Sequence, residues 1–249
     1  MRPFAVYPGS FDGATLGYWR FGERGGLLAD VTSGKVLTNV GAEARDDGYR
    51  FVAADKDYMT AAYADQPARS ALTLECWVRD YGGAADEYHG FLRFSGPTTG
   101  GGANDVMLYA RRRADPALSH IIVICYVDGV YKEARWTGQA VDDLLVASKA
   151  RPFHVAAVRN GTALRLFVNG ELEATNATIA ATAFPAGDWT FYVGALGPIT
   201  YNCSAVLDEV RLSAAARYAA TFVPARFQEG ERAGLRGPGE MVEVAGGVV

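Results

Sequence analysis

Cysteine and histidine are scarce, three of each in 249 residues. Cys76, Cys125 and Cys203 are odd in number and widely spaced, with no C-x-x-C and no histidine at metal-ligand spacing, so they read as buried free thiols. Cys76 and Cys125 fall inside predicted strands, where cysteine behaves as a small hydrophobe, and this usage suits folding in a reducing cytoplasm. No apolar run reaches the roughly 18 residues of a membrane helix. The first residues, MRPFAVYPGSFDG, lack the apolar stretch of a secretory signal. Positive charge is short as well: the net charge is -4, and the one basic run, Arg111-Arg112-Arg113, reads as a solvated loop. General nucleic-acid binding is therefore disfavoured. There is no G-x-S-x-G, no cysteine placed beside a histidine and no repeat of fixed period.

What is abundant is apolar and aromatic surface, 49% and 12% of the residues, enough for a sizeable core in one domain. The centre is Arg151 to Thr175, RPFHVAAVRNGTALRLFVNGELEAT. Two Asn-Gly turns, Asn160-Gly161 and Asn169-Gly170, predict three strands folded back on one another, because tight hairpins need positive φ in the turn. Ala71 to Arg79 alternates, with Leu72, Leu74, Cys76 and Val78 on one face and Thr73, Glu75, Trp77 and Arg79 on the other. Ile121 to Val127 is apolar on both faces and predicts a strand covered on each side. Asp128-Gly129 turns it into Val130 to Trp136. Val141 to Ala147 reads as a connection or a short turn of helix. Ser213 can cap a short helix through Ala214 to Ala220, ended by Pro224.

More than ten short strands, evenly punctuated, with no βαβ alternation, give the fold class: all-β, a two-sheet antiparallel jelly-roll sandwich with one short C-terminal helix. Residues 1–15 read as a lead-in or attachment segment, 16–224 as the sandwich domain and 225–249 as a glycine-rich tail. In Ser204 to Leu212 simple alternation puts Asp208 on the face of Val206, Val210 and Leu212, toward the core. A buried carboxylate must be paired, hydrogen-bonded or bound to metal. An arginine, a Ca²⁺ ion or backbone amides at a strand end would each satisfy it.

LTLECWVRD, FHVAAVRNGTALRLFVNGELE, WTFYVGA and AVLDEVRLSAAARYAATFVP, in that order, resemble the concanavalin A-like lectin/glucanase superfamily, specifically its laminin-G-like jelly-roll domains. The resemblance spans roughly Leu16 to Pro224. The closing DEVRLS with ARYAATFVP is similar to copies on bacteriophage and phage-like particles, in fibres, spikes and capsid decorations. It implies a structural calcium held by Asp208, with Glu23 the nearest second acid. It also implies a test for hydrolysis, since the superfamily's glycosidases carry Glu-x-Asp-x-x-Glu, and retaining chemistry needs two carboxyls about 5 to 5.5 Å apart. That string is absent. Glu171 and Glu173, two apart after a turn, read as a solvated edge, and His154 as a core or edge histidine.

Sugar binding asks for less, an exposed aromatic and a few polar groups. Trp77 with Glu75 on one strand face, Tyr88 and Trp136 are the candidate contacts, and Tyr131 and Trp189 belong to the same set. Trp19 is assigned to the core. The loops Asp80 to Gly90 and Gly96 to Asp105 are candidate contact surfaces. The sequence therefore reads as a non-enzymatic carbohydrate-binding or adhesion module of a phage or phage-like particle, made in the cytoplasm and carried on the particle surface. Its expected partners are a bacterial surface polysaccharide and other particle subunits, with homo-oligomers allowed and neither nucleic acid nor membrane insertion. The alternatives are a purely structural virion component that binds no sugar, and a glycoside hydrolase with unfamiliar acids.

Overall fold

The Asn-Gly meander sets the geometry of one whole sheet. A computed structural model describes residues 13–21, 28–83, 85–98, 103–198 and 200–224. Residues 1–12 of the expected lead-in, Glu23 and the whole expected tail, 225–249, lie outside the described residues.

In chain order the strands are β1 (Thr15–Trp19), β2 (Thr38–Val40), β3 (Glu43–Arg45), β4 (Gly48–Phe51), β5 (Tyr58–Gln66), β6 (Ala71–Arg79), β7 (Tyr88–Ser95), β8 (Asp105–Arg111), β9 (His120–Val127) and β10 (Val130–Thr137). A helix, α1 (Gln139–Ala147), precedes β11 (Phe153–Asn160), β12 (Ala163–Val168), β13 (Glu171–Asn176), β14 (Gly187–Val193) and β15 (Ala205–Ser213). The first sheet runs β13-β12-β11-β6-β15-β4-β3, with β1 also paired to β15, and the second runs β10-β9-β8-β7-β14-β5-β2. Every strand pairing is antiparallel, so the described residues form the expected two-sheet jelly-roll sandwich.

The turns differ in detail from one another. Asn169 and Gly170 both have positive φ, 49° and 84°, and join Val168 to Glu171 as a two-residue hairpin. At the first turn Asn160 still pairs with Ala163, so the turn is Gly161-Thr162, with positive φ at Gly161 alone. Glycine in the first central position suits the other mirror-image hairpin turn. Asp128-Gly129 closes β9 onto β10 with positive φ at both residues.

The core lies between the sheets. Leu72, Leu74, Cys76 and Val78 of β6 meet Phe91, Phe94, Val106, Leu108 and Phe191 of the second sheet. Trp19 stacks on Phe191 with ring centroids 5.5 Å apart and is fully buried, as its assignment to the core requires. All three cysteines are free and buried. On β9 the alternate residues divide, Ile121, Val123 and Cys125 entering the main core and Ile122 and Ile124 a smaller cluster with Tyr109 and Leu196 on the outer side.

The expected C-terminal helix is corrected. The helix of the described residues is α1, and 214–224 is irregular chain laid across the outer face of the first sheet. Its backbone groups bond outward: Phe222 N–H donates to Gly170 O at 2.9 Å, Arg217 N–H to Thr73 Oγ1 at 3.1 Å, and Ala215 O accepts from the Thr73 hydroxyl at 2.7 Å. Alanine's helix preference amounts to a few tenths of a kcal/mol per residue. Burying Tyr218 and Phe222 over Phe167, Ala156 and Val158 outweighs it.

This strap depends on Gly170. A Cβ there would sit 1.9 Å from Phe222 O, whereas one at Gly161, also at positive φ, would meet nothing within 4 Å. Gly170→Ala is expected to destabilise the fold by about 2 to 4 kcal/mol and Gly161→Ala by about 1 kcal/mol; urea denaturation of both variants measures the difference, and equal losses would mean that the strap does not need the close approach.

Candidate functional site

The two outer sheet faces are unequal. On the first sheet β6, β11 and β15 bring Glu75, His154 and Arg211 side by side, and the strap adds Tyr218. Glu75 Oε1 accepts from Arg211 Nε at 2.5 Å, and Oε2 accepts from the Tyr218 hydroxyl at 2.7 Å and lies 3.1 Å from His154 Nε2. Arg211 also donates to the Tyr218 oxygen at 2.7 Å. Glu75 is only 3% exposed. Burial pushes its pKa up, but the Arg211 guanidinium and the His154 ring outweigh burial and hold it at about 2. A general acid for glycoside cleavage needs the opposite, a raised pKa. Trp77 is half buried on the same face, its ring 5.5 Å from that of His154.

Asp208 does not point into the core. Glu209 has φ 50° and the β15–β6 register shifts between Asp208 and Arg211, a bulge that moves the strand's alternation by one residue. Ala205, Leu207, Val210 and Leu212 therefore face inward and Asp208 faces outward, its Oδ1 accepting from the backbone N–H groups of Phe21 and Glu209, both at 2.8 Å. Among the described residues, this carboxylate thus accepts two backbone amides, one within β15 and one just beyond the end of β1. Among the described residues no three acidic, histidine or cysteine side chains converge as a metal cage, so the calcium expectation rests on the resemblance alone.

The second sheet keeps its outer face uncovered by the strap. Tyr109 of β8, Tyr88 of β7 and Tyr201 of the loop after β14 form a row, with ring centroids 5.5 Å apart between Tyr88 and Tyr109 and 4.9 Å between Tyr88 and Tyr201. Arg111 lies over the Tyr88 ring at 4.2 Å and donates to its hydroxyl at 2.9 Å. Tyr126 of β9 and Tyr131 of β10 make a second group, 5.4 Å apart, and Tyr192 of β14 meets Tyr58 of β5 at 6.4 Å. Between the groups Arg93 holds Asp105 through its Nε–Nη2 edge near 3 Å, and Arg135 pairs with Glu133 at 3.0 Å. Tyr131 and Tyr201 are 44% and 48% exposed, so rings reach solvent. Cations pinned by carboxylates beside flat rings can read hydroxyls while the rings take an apolar sugar face.

The candidate contacts from the sequence thus separate. Glu75 and Trp77 lie on the strapped sheet, Glu75 enclosed by its partners. Tyr88 is at the middle of the tyrosine row. Trp136 packs from β10 against the main core, and Trp189 is buried against Phe94 at 4.7 Å. Glu171 takes a hydrogen bond from Thr221, and Glu173 sits half buried beside it, its pKa raised by burial and by the Glu171 charge. The basic run is not a free loop: Arg112 pairs with Asp142 and Arg113 with Asp86, besides Arg111 on Tyr88. Tyr109, Tyr126, Tyr192 and Tyr201 were not legible as a group, because they come from four separate segments. Tyrosine recurring at outward-facing strand positions was the available signal.

With the geometry in place, the chain can be assigned. The laminin-G-type family described as the concanavalin A-like lectin/glucanases superfamily matches residues 53–221, and the chain belongs to that superfamily. No curated protein matches it. Among solved structures, the binding domain of botulinum neurotoxin DC in complex with SialylT is similar at TM-score 0.57 and 9% identity, over 83% of this chain and 49% of that one. The botulinum neurotoxin type C structure whose cell entry depends on two ganglioside molecules gives TM-score 0.57 and 8% identity over 82% and 48%. A bacteriophage CBA120 tailspike enzymatically active domain gives 0.49 and 14% over 71% and 27%. The chain spans about half the length of the neurotoxin domains, 49% in the first case, and at these identities the likeness is one of fold.

Glu75 sets an acid limit on the structure. Because its folded pKa lies below its unfolded value of about 4.5, its contribution is complete above that pH and is lost as pH falls toward 2. Glu75→Gln leaves Arg211 without its counter-charge and is expected to lower stability by about 3 kcal/mol at pH 7, with the gap to wild type closing between pH 4.5 and 2. Chemical denaturation across that range reads it; a gap independent of pH would show that the carboxylate is not held ionised.

Proposed function

We propose that the chain is a non-enzymatic carbohydrate-binding module whose tyrosine-lined outer face of the second sheet takes a glycan. The observation that carries this reading is that face: aromatic rings at three places on one open surface, beside arginines oriented by carboxylates. An extended platform suits a polymer better than a closed pocket would, because successive sugars can each stack on a ring. The superfamily assignment supports the reading, as do the neurotoxin domains, one solved with SialylT and one described with gangliosides.

Catalysis is not part of the proposal. Glu75, which shares a strand face with Trp77 on the strapped sheet, is ionised and consumed by three partners. The likeness of the closing strand to phage and phage-like particle proteins supports a place on such a particle, as fibre, spike or decoration, against a bacterial surface polysaccharide. Several copies on one particle would add avidity to weak single contacts. A purely structural particle subunit is the second reading, favoured by the same open face if a neighbouring subunit covers it.

An array of bacterial surface polysaccharides separates them. Binding is expected, with Tyr88→Ala and Tyr201→Ala each weakening it on the order of tenfold at an unchanged melting temperature. Absence of binding to every glycan, with the protein still incorporated in purified particles, would leave the structural role.

A further inference from the structure

A second, smaller site lies at the rim of the first sheet, away from the tyrosine face. Between the end of β4, the start of β15 and the turn after α1 there is a depression of about 230 Å³ lined by Arg50, Phe51, Asp80, Gly82, Lys149 and Ser204. Its walls are fixed by the main chain. Asp80 N–H donates to Ser148 O at 3.1 Å, Gly82 N–H to Ser204 O at 2.7 Å, and Tyr81 N–H to Ser148 Oγ at 2.9 Å. Ser148 is fully buried and donates in turn to Leu145 O at 2.6 Å, which ties the rim to the last turn of α1.

The polar groups on this frame are unspent. Arg79, on the far side of Val206 from Arg50 in the register, is paired with Asp47 at 2.8 Å. Arg50 and Lys149, by contrast, have no ion-pair or hydrogen-bond partner among the described residues. Ser204 Oγ accepts from Ala53 N–H at 3.1 Å, and its own hydroxyl proton has no acceptor among the described residues. The Asp80 carboxylate accepts no hydrogen bond among the described residues, although its charge is felt by Arg45, and Asp80 itself stands at the lip with φ 48°.

We infer that this depression binds a monosaccharide-sized hydroxy acid, a pyranose uronate or a related sugar acid, with Arg50 and Lys149 on its carboxylate and Asp80 and Ser204 on its hydroxyls. Size limits the ligand, since the volume is below the about 300 to 1,000 Å³ of drug-sized sites and admits about one ring. Charge selects within that size. A neutral sugar leaves the net positive charge of Arg50, Lys149 and Asp80 uncompensated, and a phosphate dianion meets the Asp80 charge without using the hydroxyl-binding groups. Arginine's planar fork suits a carboxylate in particular. The inference rests on the carbohydrate reading only in taking a sugar ring as carrier of the carboxylate, and the site is distinct from the tyrosine platform.

Ligand-observed NMR and calorimetry on the full chain test it with glucuronate, galacturonate, glucose and inorganic phosphate as probes. A uronate is expected to bind, glucose and phosphate at least about tenfold more weakly, and Arg50→Gln and Lys149→Gln each to weaken uronate binding on the order of tenfold. Both substitutions lie at the rim, and unchanged melting temperatures show that the variants are folded. Tyr201→Ala leaves uronate binding intact, so failure of the platform and failure of this site are separately visible. No uronate binding, equal binding of glucose, tighter binding of phosphate, or uronate binding indifferent to both rim substitutions would each overturn the inference.

Discussion

The buried ion pair between Glu75 and Arg211, closed from above by the Tyr218 hydroxyl, is the interaction on which the asymmetry of the molecule depends. A carboxylate on the outer face of a sheet would ordinarily be solvated. Here the strap removes it from water, a cost of several kcal/mol that is offset only because Arg211 meets one of its oxygens and Tyr218 and His154 meet the other. Tyr218 then has one position, and with it the ring stack of Tyr218 on Phe222 over Phe167 follows. One sheet is thereby finished by the chain itself. The other carries no such covering among the described residues, and that difference is what directs attention to the tyrosine face.

Much of this was legible from residue pattern. The hairpins at Asp128-Gly129 and Asn169-Gly170, the alternation of Ala71 to Arg79 and the two-faced apolarity of Ile121 to Val127 report local rules, positive φ in tight turns and period-2 burial, which tertiary contacts had no reason to override. The glycine at 170 carried two messages, and only one could be read. Its backbone conformation is a local matter, while its bare Cα against Phe222 O is a contact between residues 52 positions apart.

What was not legible shares one cause, groups satisfied from a distance. Ser213 followed by alanines has the look of a helix start because propensity sees only neighbours. The backbone there is instead paired with Ala14, Thr73 and Gly170. Glu75 and Trp77 looked like a polar and an aromatic group offered together on a groove, since nothing nearby in sequence shows Tyr218 arriving from 143 positions away. Asp208 was misplaced by a single residue of bulge. Strict alternation inverts the two faces of a strand wherever one residue is inserted, and β15 inserts Glu209.

That bulge also explains how β15 serves three neighbours. Ala205 to Leu207 pair with β4, while Val210 to Ser213 pair with β1 along the same edge, and β6 takes the opposite edge throughout. A regular strand would present one continuous edge, and β4 and β1 would have to lie in line with no chain between them. The extra residue bends β15 at the point where one partner gives way to the other, and Asp208 fills the break by accepting the Phe21 N–H that leaves β1. A carboxylate that alternation would place in oil thus caps the chain leaving β1, while beyond the bulge Val210 and Leu212 face inward and Arg211 outward to Glu75. The strapped face is thus built on the stretch of β15 that follows its one irregular residue, where Arg211 meets Glu75 and Tyr218.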